Sequence, residues 1–182
     1  MSRIVTPASI DAAPEASRPL LDAVNKQIGS VPNLFRIIST SPAALEGYLG
    51  FNGALAKGKL PAATRERIAL AVAQINGCGY CLAAHTQFGK TLAKLDSTEV
   101  AANRHGTSTD ARAAVAVRFA ANIARSRGAV SAADVIAVRD AGYSDAEIVE
   151  IIAHVALNTL TNYINEVLAT DIDFPIIEAL AA

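Results

Sequence analysis

Signals that start and stop helices recur along the whole chain, and they constrain its fold more than any other sequence feature. Ser41-Pro42 places a capping side chain directly before a proline that suits the first helical position. Ser144 stands three residues before Glu147, a spacing that lets the two residues cap a helix start reciprocally. Gly29 follows an apolar stretch and can take the left-handed conformation that closes a helix. Because no stretch of five or more residues alternates strictly between apolar and polar, the sequence predicts helices and no strands.

The predicted helices share apolar residues that recur three and four positions apart between these signals. They cover residues 18–28, 42–56, 61–75, 78–94, 97–105, 109–127, 132–141 and 145–169, with a short apolar turn or helix at 34–38. Residues 1–15 are polar and rich in Pro and Ala, which predicts an extended N-terminal arm. We expect one all-α domain over residues 1–182, a bundle of helical hairpins, in which 61–94 form the hairpin that carries the cysteines.

The composition bounds the partners that this chain can have. A hydrophobic fraction of 52% with 18% charged residues excludes intrinsic disorder. Sixteen Lys and Arg against seventeen Asp and Glu give a net charge of −1, which provides no basic surface for nucleic acid or an anionic membrane. No apolar run reaches the length of a membrane span, and the N-terminus lacks the apolar segment of a signal peptide. We therefore expect a cytoplasmic protein.

Two cysteines and a histidine form the pattern that carries chemistry. On a helix over 78–94, Cys78, Cys81 and His85 lie on one face, because their spacings are three and four residues. Cys78 stands near the helix N-terminus, where the helix dipole favours a thiolate, and His85 is placed to accept a thiol proton. Glu66 lies twelve residues before Cys78 on the preceding helix, and the turn between the helices can bring its carboxylate close to the imidazole.

This pattern favours redox chemistry, in which a thiolate attacks an electrophilic oxygen or sulfur and a second thiol resolves the adduct to a disulfide. A zinc site is the first alternative, with Cys78, Cys81 and His85 as ligands and Glu66 as a fourth, although the second Cys pair of a structural zinc site is absent. The second alternative is that these side chains are buried structural residues. A thioredoxin-like fold is disfavoured, because its motif needs a βαβ context.

The spacing Glu-x₁₁-Cys-x-x-Cys-x₃-His resembles the core motif of the AhpD-like alkylhydroperoxidases, within the carboxymuconolactone decarboxylase superfamily. Residues 29–94 and the segment LTNYINEVLATDIDFP also resemble the branch of peroxidase-related proteins. The resemblance implies an all-α fold of helical hairpins and a homo-oligomer, a trimer or hexamer. It also implies a peroxiredoxin-type antioxidant activity that reduces alkyl hydroperoxides or H₂O₂.

The resemblance further implies roles for single residues. Cys81 would attack the peroxide, Cys78 would resolve the product, and Glu66 with His85 would form the proton relay. It implies no metal, haem or flavin, and a thiol reductant that is a lipoylated protein or a thioredoxin-like donor. One position departs from the pattern: the best-studied members have a relay histidine where this chain has Tyr80, which is not a base near neutral pH.

The sequence is also compatible with two other functions. One is a cofactor-free decarboxylase, although the decarboxylases of the superfamily do not use the cysteine pair. The other is a non-catalytic redox or zinc-binding module. On the long C-terminal helix, His154 is expected to be a satisfied core or interface histidine. Asn158, Asn162 and Asn165 share one face of that helix, which predicts either a polar subunit contact or a lining for the thiol pocket.

Overall fold

The computed structural model describes residues 1–177 of the 182-residue chain, so residues 178–182 of the expected domain lie outside the description. Within the described part all regular structure is helical, which confirms the expected all-α single domain. A 3₁₀ turn at Glu15–Ser17 precedes nine α-helices. These are α1 (Arg18–Ile28), α2 (Asn33–Ile38), α3 (Pro42–Ala56), α4 (Ala62–Ile75), α5 (Gly79–Thr91), α6 (Ser97–Arg104), α7 (Ala111–Ser126), α8 (Ala132–Asp140) and α9 (Asp145–Leu168).

Helix α4 is the centre of the fold. Its residues 68–73 are all buried, and they alternate large aliphatic side chains with alanines. A helix that is apolar on every side must be surrounded, and α4 packs against α5, α6, α7 and α9. One hydrophobic cluster on its flank joins α1, α2 and α3 to the segment that holds both cysteines. Because this cluster contains Cys78 and Cys81, the cysteine segment is part of the packed interior. A second cluster joins α4 to α7, α8 and α9.

Most helix boundaries lie where the local signals predict them. Helices α1 and α3 have the predicted bounds, and Gly29 closes α1 with φ +85°. Ser144 and Glu147 form the predicted capping box at the start of α9. The arm over residues 1–15 has no α-helix and lies against the end of α9, where the Arg3 N–H donates to the Leu168 carbonyl over 2.7 Å. None of the helices in residues 1–177 has the length and apolarity that crossing a bilayer requires.

The end of α5 differs from the prediction, which extended the helix to residue 94. The helix ends at Thr91, and the chain then turns through Lys94, which has φ +58°. The Leu95 N–H donates to the Gly89 carbonyl over 2.9 Å and so closes the last turn. Because the left-handed residue is a lysine and not a glycine, the sequence contains no stop signal at this point.

Asp96 and Glu99 have the sequence spacing of a capping box, but only Asp96 caps α6. The Glu99 carboxylate is buried and accepts hydrogen bonds from Arg67 (2.6 Å), Asn103 (2.8 Å) and the backbone N–H of Thr109 (2.7 Å). The hydroxyl groups of Ser108 and Thr109 donate to it as well. Burial opposes the charge, yet these hydrogen bonds outweigh it and lower the pKa of Glu99 from 4.5 to about 2.

We expect Glu99→Gln to lower the free energy of unfolding at pH 7 by about 2 kcal/mol, because the amide cannot accept from all of these donors. The lowered pKa means that the carboxylate stabilises the fold above pH 4.5 and that this contribution disappears as the pH falls toward 2. The difference between variant and wild type in urea unfolding should therefore shrink over that range. Glu46→Gln, at an exposed position of α3, is the control. Equal stability of Glu99→Gln and wild type at pH 7 would contradict this account.

Candidate thiol site

The hairpin formed by α4 and α5 positions the cysteines. Asn76 ends α4, and Gly77 has φ +71°, a left-handed conformation that favours glycine. The Cys78 N–H donates back to the Ala73 carbonyl over 3.0 Å, which tightens the reversal. Cys78 is then the N-cap residue of α5, and its sulfur accepts from the Cys81 N–H over 3.2 Å. The reversal thus places both cysteines at the positive end of a helix dipole.

Cys78 and Cys81 form a disulfide across the first turn of α5, with their Cα atoms 5.3 Å apart. Both are buried, since Cys78 is 0% and Cys81 3% exposed. They differ in what they face, because Cys81 lines a cavity between the helices and Cys78 is not among the residues that line it. A molecule in the cavity therefore meets Cys81 first.

Glu66 and His85 form a hydrogen-bonded pair in the wall of the same cavity. The Oε2 atom of Glu66 lies 2.9 Å from Nδ1 of His85, and each side chain is 23% exposed. A carboxylate accepts hydrogen bonds, so the proton of a neutral imidazole belongs on Nδ1 and Nε2 is left as the acceptor. His85 lies one helical turn after Cys81 on α5. Nε2 of His85 can therefore accept a proton one helical turn from Cys81.

The cavity has a volume of about 710 Å³ and lies between α2, α3, α4, α5, α9 and the segment that follows α9. Its wall combines aromatic rings, including Phe35, Tyr48 and Phe88, with the Glu66–His85 pair. Such a volume and lining suit an organic molecule with one polar group. In the part of the chain that the structure describes, no three His, Cys, Asp or Glu side chains are grouped so that they could hold a metal ion.

The three asparagines of α9 face inward, and one of them contacts the thiol site. Nδ2 of Asn165 donates to the Cys81 sulfur over 3.3 Å, and Asn76 donates to Asn162 over 2.8 Å. Asn158 donates to the His154 carbonyl on its own helix and lines the cavity. All three are buried and so do not form an exposed face for a subunit contact. The expected lining of the thiol pocket applies to Asn158 and Asn165, whereas Asn162 contacts Asn76.

Tyr80 does not take the place of a relay histidine. Its hydroxyl donates to Asp173 over 2.8 Å and accepts from the Leu34 N–H over 3.0 Å. Burial, reinforced by the Asp173 carboxylate, raises the pKa of Tyr80 far above its ordinary value. The hydroxyl therefore stays protonated and is fully engaged by the C-terminal segment and α2.

His154 is a residue of the cavity whose importance the sequence did not reveal. It is buried as expected, at 4% exposed, but its Nε2 atom has no hydrogen-bond partner within residues 1–177, so it is not a satisfied histidine. Burial and the nearby Arg65 lower the pKa of His154 to about 4. It is therefore a neutral imidazole at pH 7, and it lines the cavity that also contains Cys81. In the sequence, a lone histidine among apolar residues does not indicate that its side chain lines a cavity.

Comparison with known proteins finds a family model and solved structures that resemble this chain. Residues 42–124 match the carboxymuconolactone decarboxylase family. A peroxidase-related protein with an alkylhydroperoxidase AhpD core, from Ralstonia eutropha JMP134, has a TM-score of 0.84 and 27% identity over 94% of this chain and 92% of that chain. Over these residues and in its fold, the chain is thus similar to AhpD-like proteins of the carboxymuconolactone decarboxylase family. This similarity supports the expected family.

Two further structures show how widely this AhpD-like fold is shared. A peroxidase-related protein from Silicibacter sp. TM1040 has a TM-score of 0.81 and 24% identity over 93% of this chain and 91% of that chain. The debrominase Bmp8, in complex with 2,3,4-tribromopyrrole, has a TM-score of 0.80 and 20% identity over 95% of this chain and 93% of that chain. At these identities the likeness concerns the fold alone. A search of curated proteins found no match.

The Asn165 contact yields a test that uses the single thiol of a Cys78→Ser protein. We expect Asn165→Ala in that background to slow alkylation of Cys81 by iodoacetamide at pH 7 about tenfold, because a hydrogen bond to a charged group contributes roughly 1.5 kcal/mol. Asn158→Ala is the matched control, since it removes the same side chain two turns away on α9 without touching the sulfur. The same alkylation rate in the two variants would show that Asn165 does not stabilise the thiolate.

Proposed function

We propose that the protein is a thiol-dependent peroxidase in which Cys81 reduces a hydroperoxide and Cys78 resolves the oxidised sulfur. The observation that carries the proposal is the position of Cys81, which lines the cavity while bonded to Cys78 behind it. The Glu66–His85 pair in the same cavity supplies a proton acceptor. Similarity to the AhpD-core protein of Ralstonia eutropha supports the same chemistry.

The reaction proceeds in two steps on the protein. His85 Nε2 takes the proton of the Cys81 thiol, and the thiolate attacks the outer oxygen of the hydroperoxide. The oxygen–oxygen bond breaks, the leaving alkoxide takes that proton to become an alcohol, and Cys81 becomes a sulfenic acid. The Cys78 sulfur, on losing its proton, then attacks the Cys81 sulfur, water leaves, and the disulfide forms.

A dithiol reductant completes the cycle, since the disulfide must receive two electrons and two protons. A lipoylated protein or a thioredoxin-like donor has this chemistry. The substrates of the proposal are alkyl hydroperoxides and H₂O₂, and its setting is antioxidant defence in the cytoplasm, where thiols are kept reduced.

We expect reduced protein mixed with one equivalent of cumene hydroperoxide to lose two thiols per chain together. Cys81→Ser should abolish peroxide consumption, whereas Cys78→Ser should consume one equivalent without forming a disulfide. Glu66→Gln should slow thiol loss by up to about a hundredfold, because the amide no longer fixes the tautomer in which His85 Nε2 acts as general base.

The measurement is a thiol titration against time in stopped flow, and Glu46→Gln is the control for a conservative change on the surface. Thiols that stay unreacted over minutes, or peroxide consumption that survives Cys81→Ser, would contradict the proposal.

A second candidate function rests on the size of the cavity. About 710 Å³ exceeds what a small hydroperoxide fills, and the aromatic lining suits a flat ring. A debrominase shares the fold. In such a reaction the two thiols supply two electrons, bromide leaves, the carbon gains a proton and the cysteines form the disulfide. Release of bromide from 2,3,4-tribromopyrrole by reduced protein that does not consume peroxide would favour this function over the first.

We also propose that copies of the chain associate through the outer face of α9. Val149, Ile152, Leu160, Tyr163 and Val167 are exposed there and share one stripe of the helix. Monomeric proteins rarely expose a continuous apolar patch of this kind. Sedimentation velocity should give a multiple of 18.9 kDa, and Val149→Glu with Leu160→Glu should give that mass itself. A wild-type monomer at micromolar concentration would contradict the association.

A further inference from the structure

The segment after α9 forms part of the cavity wall. Residues 171–177 form no helix, and Asp173, Phe174 and Pro175 line the cavity with Cys81. We propose that Phe174 is a specificity-determining residue, an aromatic wall that binds the organic part of a substrate, and that Tyr80 positions it through Asp173. The proposal rests on the proposed peroxidase function for its substrate class, but the wall itself is defined by contacts in the structure.

Aromatic contacts join Phe174 to the helix that carries the thiol site. Its ring centroid lies 5.6 Å from that of Tyr80 at an interplanar angle of 90°, and 5.5 Å from that of Phe88 at 79°. Both are edge-to-face geometries that aromatic pairs prefer. Phe174 also packs against the hydrophobic cluster that contains Cys78 and Cys81. The ring is therefore held against α5, in the wall of the cavity that Cys81 also lines.

Asp173 anchors the segment by both carboxylate oxygens. Oδ1 accepts from the Tyr80 hydroxyl over 2.8 Å, and Oδ2 accepts from the Asn33 N–H over 2.8 Å. The Tyr80 hydroxyl accepts in turn from the Leu34 N–H over 3.0 Å. Because Tyr80 directly precedes Cys81, this anchor sets the position of the wall relative to the reactive sulfur.

A second anchor lies two residues earlier and is weaker. The Asp171 carboxylate is 2.9 Å from the Met1 ammonium and accepts from the Ser2 N–H over 3.1 Å. These groups are more than half exposed, and exposed ion pairs contribute little. The contact of Asp173 with Tyr80 is partly buried, so it is the one that holds Phe174 in place.

The Phe174 ring can contact some substrates and not others. H₂O₂ has no apolar part and gains nothing from an aromatic surface, whereas the phenyl ring of cumene hydroperoxide is large enough to lie against it. Contacts made with one substrate and not with the other set the ratio of their kcat/KM values. The ratio for these two peroxides therefore reports on Phe174.

We expect Phe174→Ala to lower the ratio of kcat/KM for cumene hydroperoxide over H₂O₂ about tenfold, chiefly by raising KM for cumene hydroperoxide. Phe174→Leu should fall between wild type and Phe174→Ala. Tyr80→Phe should lower the ratio in the same direction by a smaller factor, because it removes only the anchoring hydroxyl. Ile176→Ala, which is 89% exposed and outside the cavity lining, is the control. An unchanged ratio in Phe174→Ala, or equal losses on both peroxides, would overturn the proposal.

A binding measurement separates this inference from the peroxidase proposal. Cumyl alcohol, the product of cumene hydroperoxide reduction, binds without reacting, so calorimetry on the oxidised protein needs no turnover. Phe174→Ala should weaken its binding about tenfold. If wild type reduces neither peroxide but this weakening is found, the peroxidase proposal is wrong and the proposed role of Phe174 is supported. If wild type reduces both peroxides and Phe174→Ala changes neither the kcat/KM ratio nor the binding of cumyl alcohol, the proposed role of Phe174 is wrong and the peroxidase proposal is supported.

Discussion

The close packing of α4 against α5 is the constraint on which the rest of the site depends. Alanines at 69, 71 and 73 leave α4 narrow enough for its neighbours to approach on every side. The left-handed Gly77 then reverses the chain within a single tight turn. That reversal brings the Glu66 carboxylate to 2.9 Å from the His85 ring and makes Cys78 the N-cap residue of α5. Because these positions come from packed backbone, the thiol site is preorganised.

The two sulfurs have different surroundings. Cys81 faces a cavity of about 710 Å³ and receives a hydrogen bond from Asn165, whereas Cys78 is enclosed by the core. The Glu66–His85 pair is partly open to solvent. His154 contributes a neutral imidazole to the same cavity. Tyr80 holds the C-terminal segment through its hydrogen bond to Asp173.

Much of this arrangement could be predicted from the sequence, because its causes are local. Caps such as Ser144 and the helical spacing of Cys78, Cys81 and His85 need only neighbouring residues. The end of α5 could not be predicted, since a lysine takes the left-handed position. Glu99 matched a capping box, but its carboxylate binds Arg67, which is 32 residues away. The contacts of Asn165 with Cys81 and of Asp173 with Tyr80 depend on the tertiary packing of α9 and its tail.

The most direct test of the account asks which sulfur a peroxide oxidises. Reduced Cys78→Ser protein is treated with one equivalent of cumene hydroperoxide in the presence of dimedone, which traps sulfenic acids, and the digested protein is analysed by mass spectrometry. The account predicts that the adduct forms on Cys81 within minutes and in nearly stoichiometric yield, and that Glu66→Gln in the same background slows its formation. An unmodified Cys81, with the peroxide left intact, would contradict the account.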